Sequence, residues 1–147
     1  MPTSGPTTRN DNAEIVRRLF DAYEANDAAQ LDALLAPDFT AHGLPPEFGD
    51  GPAAMKATAA VMHGALAECR CEIDDLIVDD DRVAARYTTR ARHVGELFGA
   101  APSGRTVTFT GIEVFRLVDG KIVEYWGEAN MSDLFASSEE PANANVC

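Results

Sequence analysis

Residues 106–130 read TVTFTGIEVFRLVDGKIVEYWGEAN, and their pattern decides the fold. Asp119-Gly120 is a two-residue hairpin signal of type I′, because Asp and Gly tolerate the positive φ that both turn positions need. The turn sets the register of the flanking strands. Val118 then faces Lys121, Phe115 faces Glu124, Glu113 faces Trp126 and Phe109 faces Asn130. Side chains alternate along a strand. An unbroken ladder therefore puts Glu113, Trp126, Glu128 and Asn130 on one face. Two carboxylates, an indole and an amide are too polar for plain core, so this face is expected to wall a pocket.

Outward from the hairpin, residues 82–93 read as a strand. Val83, Ala85, Tyr87, Thr89, Ala91 and His93 lie on one face and Arg86, Arg90 and Arg92 on the other. The first set is expected to face helices. Residues 70–78 give another strand across Asp79-Asp80-Asp81, and 94–104 a Gly/Pro loop. Towards the N-terminus, Asp11-Asn12-Ala13-Glu14 reads as a capping box, followed by Ile15, Leu19, Phe20 and Tyr23 at helical spacing. Asn26-Asp27 opens a short helix with Leu31, Leu34 and Leu35, and Pro37 helps stop it. Phe39 to His42 suits a short strand. Asp50 and Pro52 start a third helix with Met55, Ala59, Met62 and Leu66 on one stripe. Helices first and strands after imply an α+β fold, a curved antiparallel sheet wrapped around N-terminal helices as a cone. The expected domain is 11–135, between disordered tails at 1–10 and 136–147.

Composition narrows the function. The chain has 147 residues, a net charge of −12 and 46% apolar residues. That is one domain with one real core. The negative charge argues against nucleic acid or an anionic membrane as partner. No run is long enough to span a bilayer, and MPTSGPTTRND lacks a secretory apolar region, so a cytoplasmic protein is expected. Cys69 and Cys71 are read as lying on opposite strand faces and unpaired. With Cys147 they are taken as free thiols. Three scattered histidines fit no zinc spacing, so no metal is expected.

The motifs also carry a resemblance. His93 followed by GELFG, then APSGR, then EVFRLVDGKIVEYW, with Pro37-Asp38-Phe39 and His42 upstream, resembles the SnoaL-like polyketide cyclase family. That family has the nuclear transport factor 2-like fold shared with ketosteroid isomerase. The resemblance spans roughly residues 11–135. It implies a homodimer, no cofactor, and acid–base ring closure or isomerisation of a hydrophobic polyketide-like small molecule. In the family's cyclases an aspartate four residues after the tryptophan is the acid/base. Asn130 stands there in this chain, and an amide does not exchange a proton near neutral pH.

Residue types and resemblance together nominate Glu128, His93 and Asn130 as catalytic. A buried carboxyl is pushed towards its neutral, proton-donating form. His93 titrates near neutrality, and Asn130 can orient an enolate oxygen. Glu113, Trp126, His42, Phe39, Tyr23, Phe109 and Arg116 are nominated for substrate binding. Arg116 faces away from Glu113 in a regular ladder, and a bulge would reverse that. Two other functions fit the same fold: epoxide opening by carboxylates with a cation, and small-molecule binding without catalysis.

Overall fold

The structure, a computed structural model, describes residues 9–136. Of the expected tails at 1–10 and 136–147, residues 1–8 and 137–147, with Cys147, lie outside the described residues. Helix α1 spans Arg9–Ala25 and so begins before the expected capping box. Asn12 is instead buried inside it, and its amide donates to the Asp80 carbonyl at 3.3 Å. The helix ends where Asn26 takes φ 55° and donates to the Tyr23 carbonyl, a left-handed stop that Asn tolerates. Asp27 then caps α2, Ala28–Leu34, by accepting from the Gln30 amide at 3.1 Å. Strand β1 is Leu35–His42, four residues longer than the expected Phe39 start. Helix α3 spans Gly51–Ala65 with Pro52 in its first turn.

The remaining strands are β2 Leu66–Asp79, β3 Arg82–His93, β4 Thr106–Val118 and β5 Lys121–Asn130. A short 3-10 turn, Ser132–Phe135, follows. The sheet order is β1-β5-β4-β3-β2. All pairs are antiparallel except β1 with β5, which run parallel. The expected all-antiparallel sheet is therefore mixed, because β1 enters from a helix rather than a hairpin. Helix α3 packs against both edge strands, β1 and β2. Only a sheet curved around the helices permits that, so the α+β cone stands.

The Asp119-Gly120 turn forms as read, with φ of 51° and 80°. Val118 pairs with Lys121 and Leu117 with Ile122. The ladder then slips. Arg116 pairs with Glu124, not Ile122's next regular partner, and Val123 is left unmatched. This one-residue bulge turns every later side chain of β5 to the opposite face. Ile122 and Tyr125 point inward and are buried, while Trp126 and Glu128 point outward. Glu113 now faces Gly127 rather than Trp126.

The main core joins Val16, Leu19 and Ala22 of α1, Leu31 and Leu34 of α2, and Met55 and Ala59 of α3 to the inner sheet face at Val83, Ala85, Phe115, Ile122 and Tyr125. The rings of Phe20 and Tyr125 pack against Phe115 at centroid distances of 6.2 and 5.5 Å. A second cluster of Leu66, Ala91, Leu97, Val107, Phe109 and Leu134 closes the other end. Arg105 fastens the terminal turn over it by donating to the Asp133 and Ala136 carbonyls at 3.0 and 2.8 Å.

Candidate active site

Between the helices and the inner sheet face lies a cavity of about 120 Å³ that opens to solvent. Its walls are mostly apolar: Leu19, Phe20, Leu44, Met55, Met62, Leu66, Phe109 and Met131. Set into them are Tyr23, Tyr87, Tyr125, Glu24, Glu113, Thr89, Cys69 and Cys71. His63 and Glu24 belong both to this wall and to a shallower hollow edged by Asp21 and Glu68.

Glu113 is the centre of the polar set. The Tyr125 hydroxyl donates to its Oε2 at 3.0 Å, and Tyr87 supplies a second hydroxyl. Desolvation raises its pKa from 4.5 to about 7, and the two tyrosine hydrogen bonds pull it back only in part. Burial also raises Tyr87 and Tyr125, each reinforced by the Glu113 charge, so both hydroxyls stay protonated donors. The result is a carboxyl that is half ionised near neutral pH beside an apolar cavity.

Two glycines make this arrangement possible. Gly111 pairs with Tyr87 across β3 and β4, and a Cβ there would sit 2.5 Å from the Tyr87 hydroxyl. A Cβ on Gly127 would overlap the Tyr125 hydroxyl. Both phenol rings thus lie across a bare stretch of sheet and bring their hydroxyls to Glu113. A glycine inside a strand often marks such a close approach.

The nominated residues divide. Tyr23, Phe109 and Glu113 line the cavity. Phe39 is buried in the main core and does not reach the lining. Trp126, Glu128 and Asn130 are carried to the outer face by the bulge. Glu128 and Asn130 are exposed, and the Asn130 side-chain oxygen accepts from the Ser132 amide at 3.0 Å, capping the terminal turn. Arg116 and Glu113 stay on opposite faces, because the bulge lies in β5 and leaves β4 regular between them. His93 is inward and fully buried opposite Leu66; neither ring nitrogen has a partner among the described residues, and the cavity lining does not include it.

On the outer face, the His42 ring stacks on Trp126 at 5.3 Å, and its Nε2 donates to the Glu124 carboxylate at Oε2, 2.9 Å away. Arg82 lies over the same indole at 5.2 Å, and Arg116 donates to Glu124 Oε1 at 3.1 Å. Hydrogen bonds from His42 and Arg116 lower the Glu124 pKa.

Reading from sequence missed Tyr125 and the role of Tyr87. The available signals were Gly127 two residues after Tyr125, and Gly111 opposite Tyr87. Cys69 and Cys71 both line the cavity, which corrects the expectation of opposite faces: residues two apart in a strand share a face. Burial raises both thiols, Cys71 to about 11.

The curved α+β cone thus holds the Glu113 carboxyl among tyrosines beside a cavity between helices and sheet. The model of the SnoaL-like polyketide cyclases matches residues 13–137, and the chain belongs to that family. It is similar to aklanonic acid methyl ester cyclase AcmA from Streptomyces galilaeus, 30% identical over 111 residues, covering 73% of this chain and 76% of the relative. Among solved structures, TsrD from Streptomyces laurentii superposes with a TM-score of 0.79 at 27% identity, covering 86% of this chain and 93% of that one. IdmH from Streptomyces antibioticus gives 0.73 at 25% identity, covering 84% and 95%. No described helix is long and apolar enough to cross a membrane.

Proposed function

We propose that the protein is a cofactor-free cyclase that closes a ring in a hydrophobic polyketide ester, with Glu113 as the acid/base. The observation that supports it is a carboxyl with a pKa near 7, held by Tyr125 and Tyr87 against an apolar cavity. The carboxylate takes a proton from a carbon flanked by carbonyls, and the C–H electrons pass into an enolate. The enolate carbon attacks a second carbonyl of the same molecule and forms the new C–C bond. The resulting alkoxide recovers the proton from the Glu113 carboxyl. The reaction is an isomerisation and consumes no oxidant or reductant. A general base matched to the working pH contributes about 10²–10⁴-fold.

Glu128, His93 and Asn130 are not given the proton-handling role, since none belongs to the cavity wall. Epoxide opening, which uses a cation with the carboxylates, is disfavoured because the described lining holds no Lys or Arg. Aklanonic acid methyl ester, the substrate in the name of the similar cyclases, is the first compound to try. Conversion is followed by chromatography with wild type and with Glu113→Gln. The proposal expects a new cyclised product and a 10²–10⁴-fold slower variant. Binding without turnover over a panel of polyketide esters would favour the non-catalytic reading. Turnover of Glu113→Gln at the wild-type rate would move the base elsewhere.

The same reading includes a homodimer through the outer sheet face. Ile77, Ala84, Val114 and Trp126 pair in one row across β2 to β5. Ile112 beside it is 54% exposed and Ile77 65%. Rows with both charge signs flank this apolar band, through Asp75 and Arg86 on one side and Arg82, Arg116 and Glu124 on the other. Sedimentation should give a dimer that Ile112→Glu splits; a wild-type monomer at high concentration would contradict it.

A further inference from the structure

The outer sheet face carries a charge arrangement that the cavity chemistry does not use. The chain holds 24 acidic and 12 basic residues, so a base should readily find an acid. Arg18, Lys56, Arg86, Arg92, Arg105 and Arg116 each do. Arg70 and Arg90 do not. They are cross-strand partners in β2 and β3, and both are exposed. Neither forms an ion pair or a hydrogen bond among the described residues. Like charges directly opposite on a sheet repel. Glu72, two residues along β2 and also exposed, pairs with neither. Arg92 follows on the same face of β3. Its 3.3 Å contact with Glu68 is exposed at both ends and contributes little. Three guanidinium groups thus gather where β2 starts and β3 ends. Cys69, next to Arg70, lines the cavity, and Ala67, Glu68, Cys69 and Val94 line the hollow that adjoins it. Asp21 and Glu24 of α1 edge that hollow from the helix side.

We propose that Arg70, Arg90 and Arg92 form a docking surface for an acidic protein, seated beside the hollow that adjoins the cavity. Guanidinium forks pair bidentately with carboxylates. A partner carboxylate between Arg70 and Arg90 turns a repulsive pair into a bridged one. Charge complementarity of this kind steers encounter and fixes orientation. The arginines attract the partner while Asp21 and Glu24 repel it, so one approach is favoured over the other. A protein fits this surface better than a nucleic acid does. The net charge of −12 repels a long polyanion along its whole length. A compact partner meets the arginines locally, and charges beyond about 8–10 Å are screened by salt. Arg90 stands six residues along β3 from Ala84, or roughly 20 Å, and so lies outside the apolar band proposed for the dimer. The surface does not depend on the cyclase reading, since a protein that closes no ring can carry it.

Two measurements test the surface. Fluorescein-labelled poly-L-glutamate stands in for the acidic partner, and its anisotropy is followed as protein is added at low salt. Wild type should bind it, and the double variant Arg70→Ala, Arg90→Ala should bind roughly tenfold or more weakly, as the loss of charge-assisted hydrogen bonds predicts. Equal affinities, including no measurable binding by either, overturn the proposal. Displacement of the polymer by inorganic phosphate of equal total charge would mark a small-anion site, and tighter binding of a DNA duplex of equal charge a nucleic-acid site; either result overturns it as well. The second measurement needs no ligand. Arg90→Glu sets opposite charges across the two strands, which removes the repulsion. Its thermal midpoint should exceed that of wild type while its binding of the polymer is lost. A lowered midpoint would show that the two arginines serve the fold, and the docking surface would be refuted.

Discussion

Glu113 and Glu124 sit on neighbouring strands of one sheet, yet they are driven in opposite directions. Glu113, on the inner face, meets two phenols and an apolar cavity, and its pKa rises to about 7. Glu124, on the outer face, meets His42 and Arg116, and its pKa falls. One carboxyl is prepared to exchange a proton and the other to stay charged. Neither property follows from residue type. Both follow from the side of the sheet, and a single unmatched residue, Val123, sets the side for β5.

The strongest way to break this contrast is to place a charge where the bulge has turned the strand inward. Tyr125→Glu puts a carboxylate opposite Phe115 in the core, whereas Trp126→Glu puts the same group one residue on, on the outer face. We expect Tyr125→Glu to lose more than about 4 kcal/mol and to show no cooperative thermal transition by circular dichroism, and Trp126→Glu to keep its transition. A Tyr125→Glu variant that melts like wild type would show that the bulge does not set the faces.

The next effect compares two glutamates by activity. Glu113→Gln should lower kcat about 10²–10⁴-fold, whereas Glu128→Gln should stay near wild type. The same pair sharpens the electrostatics. Because the folded Glu113 pKa lies above 4.5, the folded state holds a proton that the unfolded state releases between about pH 4.5 and 7. Stability therefore falls as pH rises through that window, by at most about 3 kcal/mol. Glu113→Gln removes this cost. Its thermal midpoint should exceed wild type at pH 8 and match it near pH 4, and the reverse order would refute the sign.

A smaller effect is expected from Gly127→Ala. The added methyl would overlap the Tyr125 hydroxyl and cost about 1–3 kcal/mol as overpacking. Displacing that donor should also raise the pH midpoint of activity. An alanine variant with unchanged stability and midpoint would mean Tyr125 does not need the bare strand. The smallest effect belongs to the outer face. Glu124→Gln should be nearly silent in activity. The stability Glu124 lends is present above the unfolded carboxylate pKa and lost as pH falls through its lowered folded value. Its variant should thus differ from wild type only by a flatter acid limb in the melting profile.

Local chemistry made much of the fold legible. The Asp119-Gly120 turn, the alternation of Val83 to His93 and the Asp27 cap each depend on a few neighbouring residues, and the family motifs agree with them. The site was legible only up to Ile122. Alternation propagates phase, so one bulge reverses every later assignment on the strand. Glu113, Tyr23 and Phe109 lie outside that segment and line the cavity; Trp126, Glu128 and Asn130 lie within it and do not. Tyr125 was hidden for the same reason. Phe39 and His93 fail differently: each is inward, but tertiary packing decides whether an inward residue reaches a cavity or a core.

The inner face differs most directly from the outer in a Glu113 carboxyl that titrates near neutrality. Carbon-detected NMR of protein labelled at glutamate side-chain carboxyls measures this directly across pH 3–9, a range spanning both the ordinary and the raised carboxyl pKa. One carboxyl should titrate at about 7, vanish in Glu113→Gln and persist in Glu128→Gln. If every glutamate titrates in the ordinary range, or if the high-pKa signal survives Glu113→Gln, the account of this site is wrong.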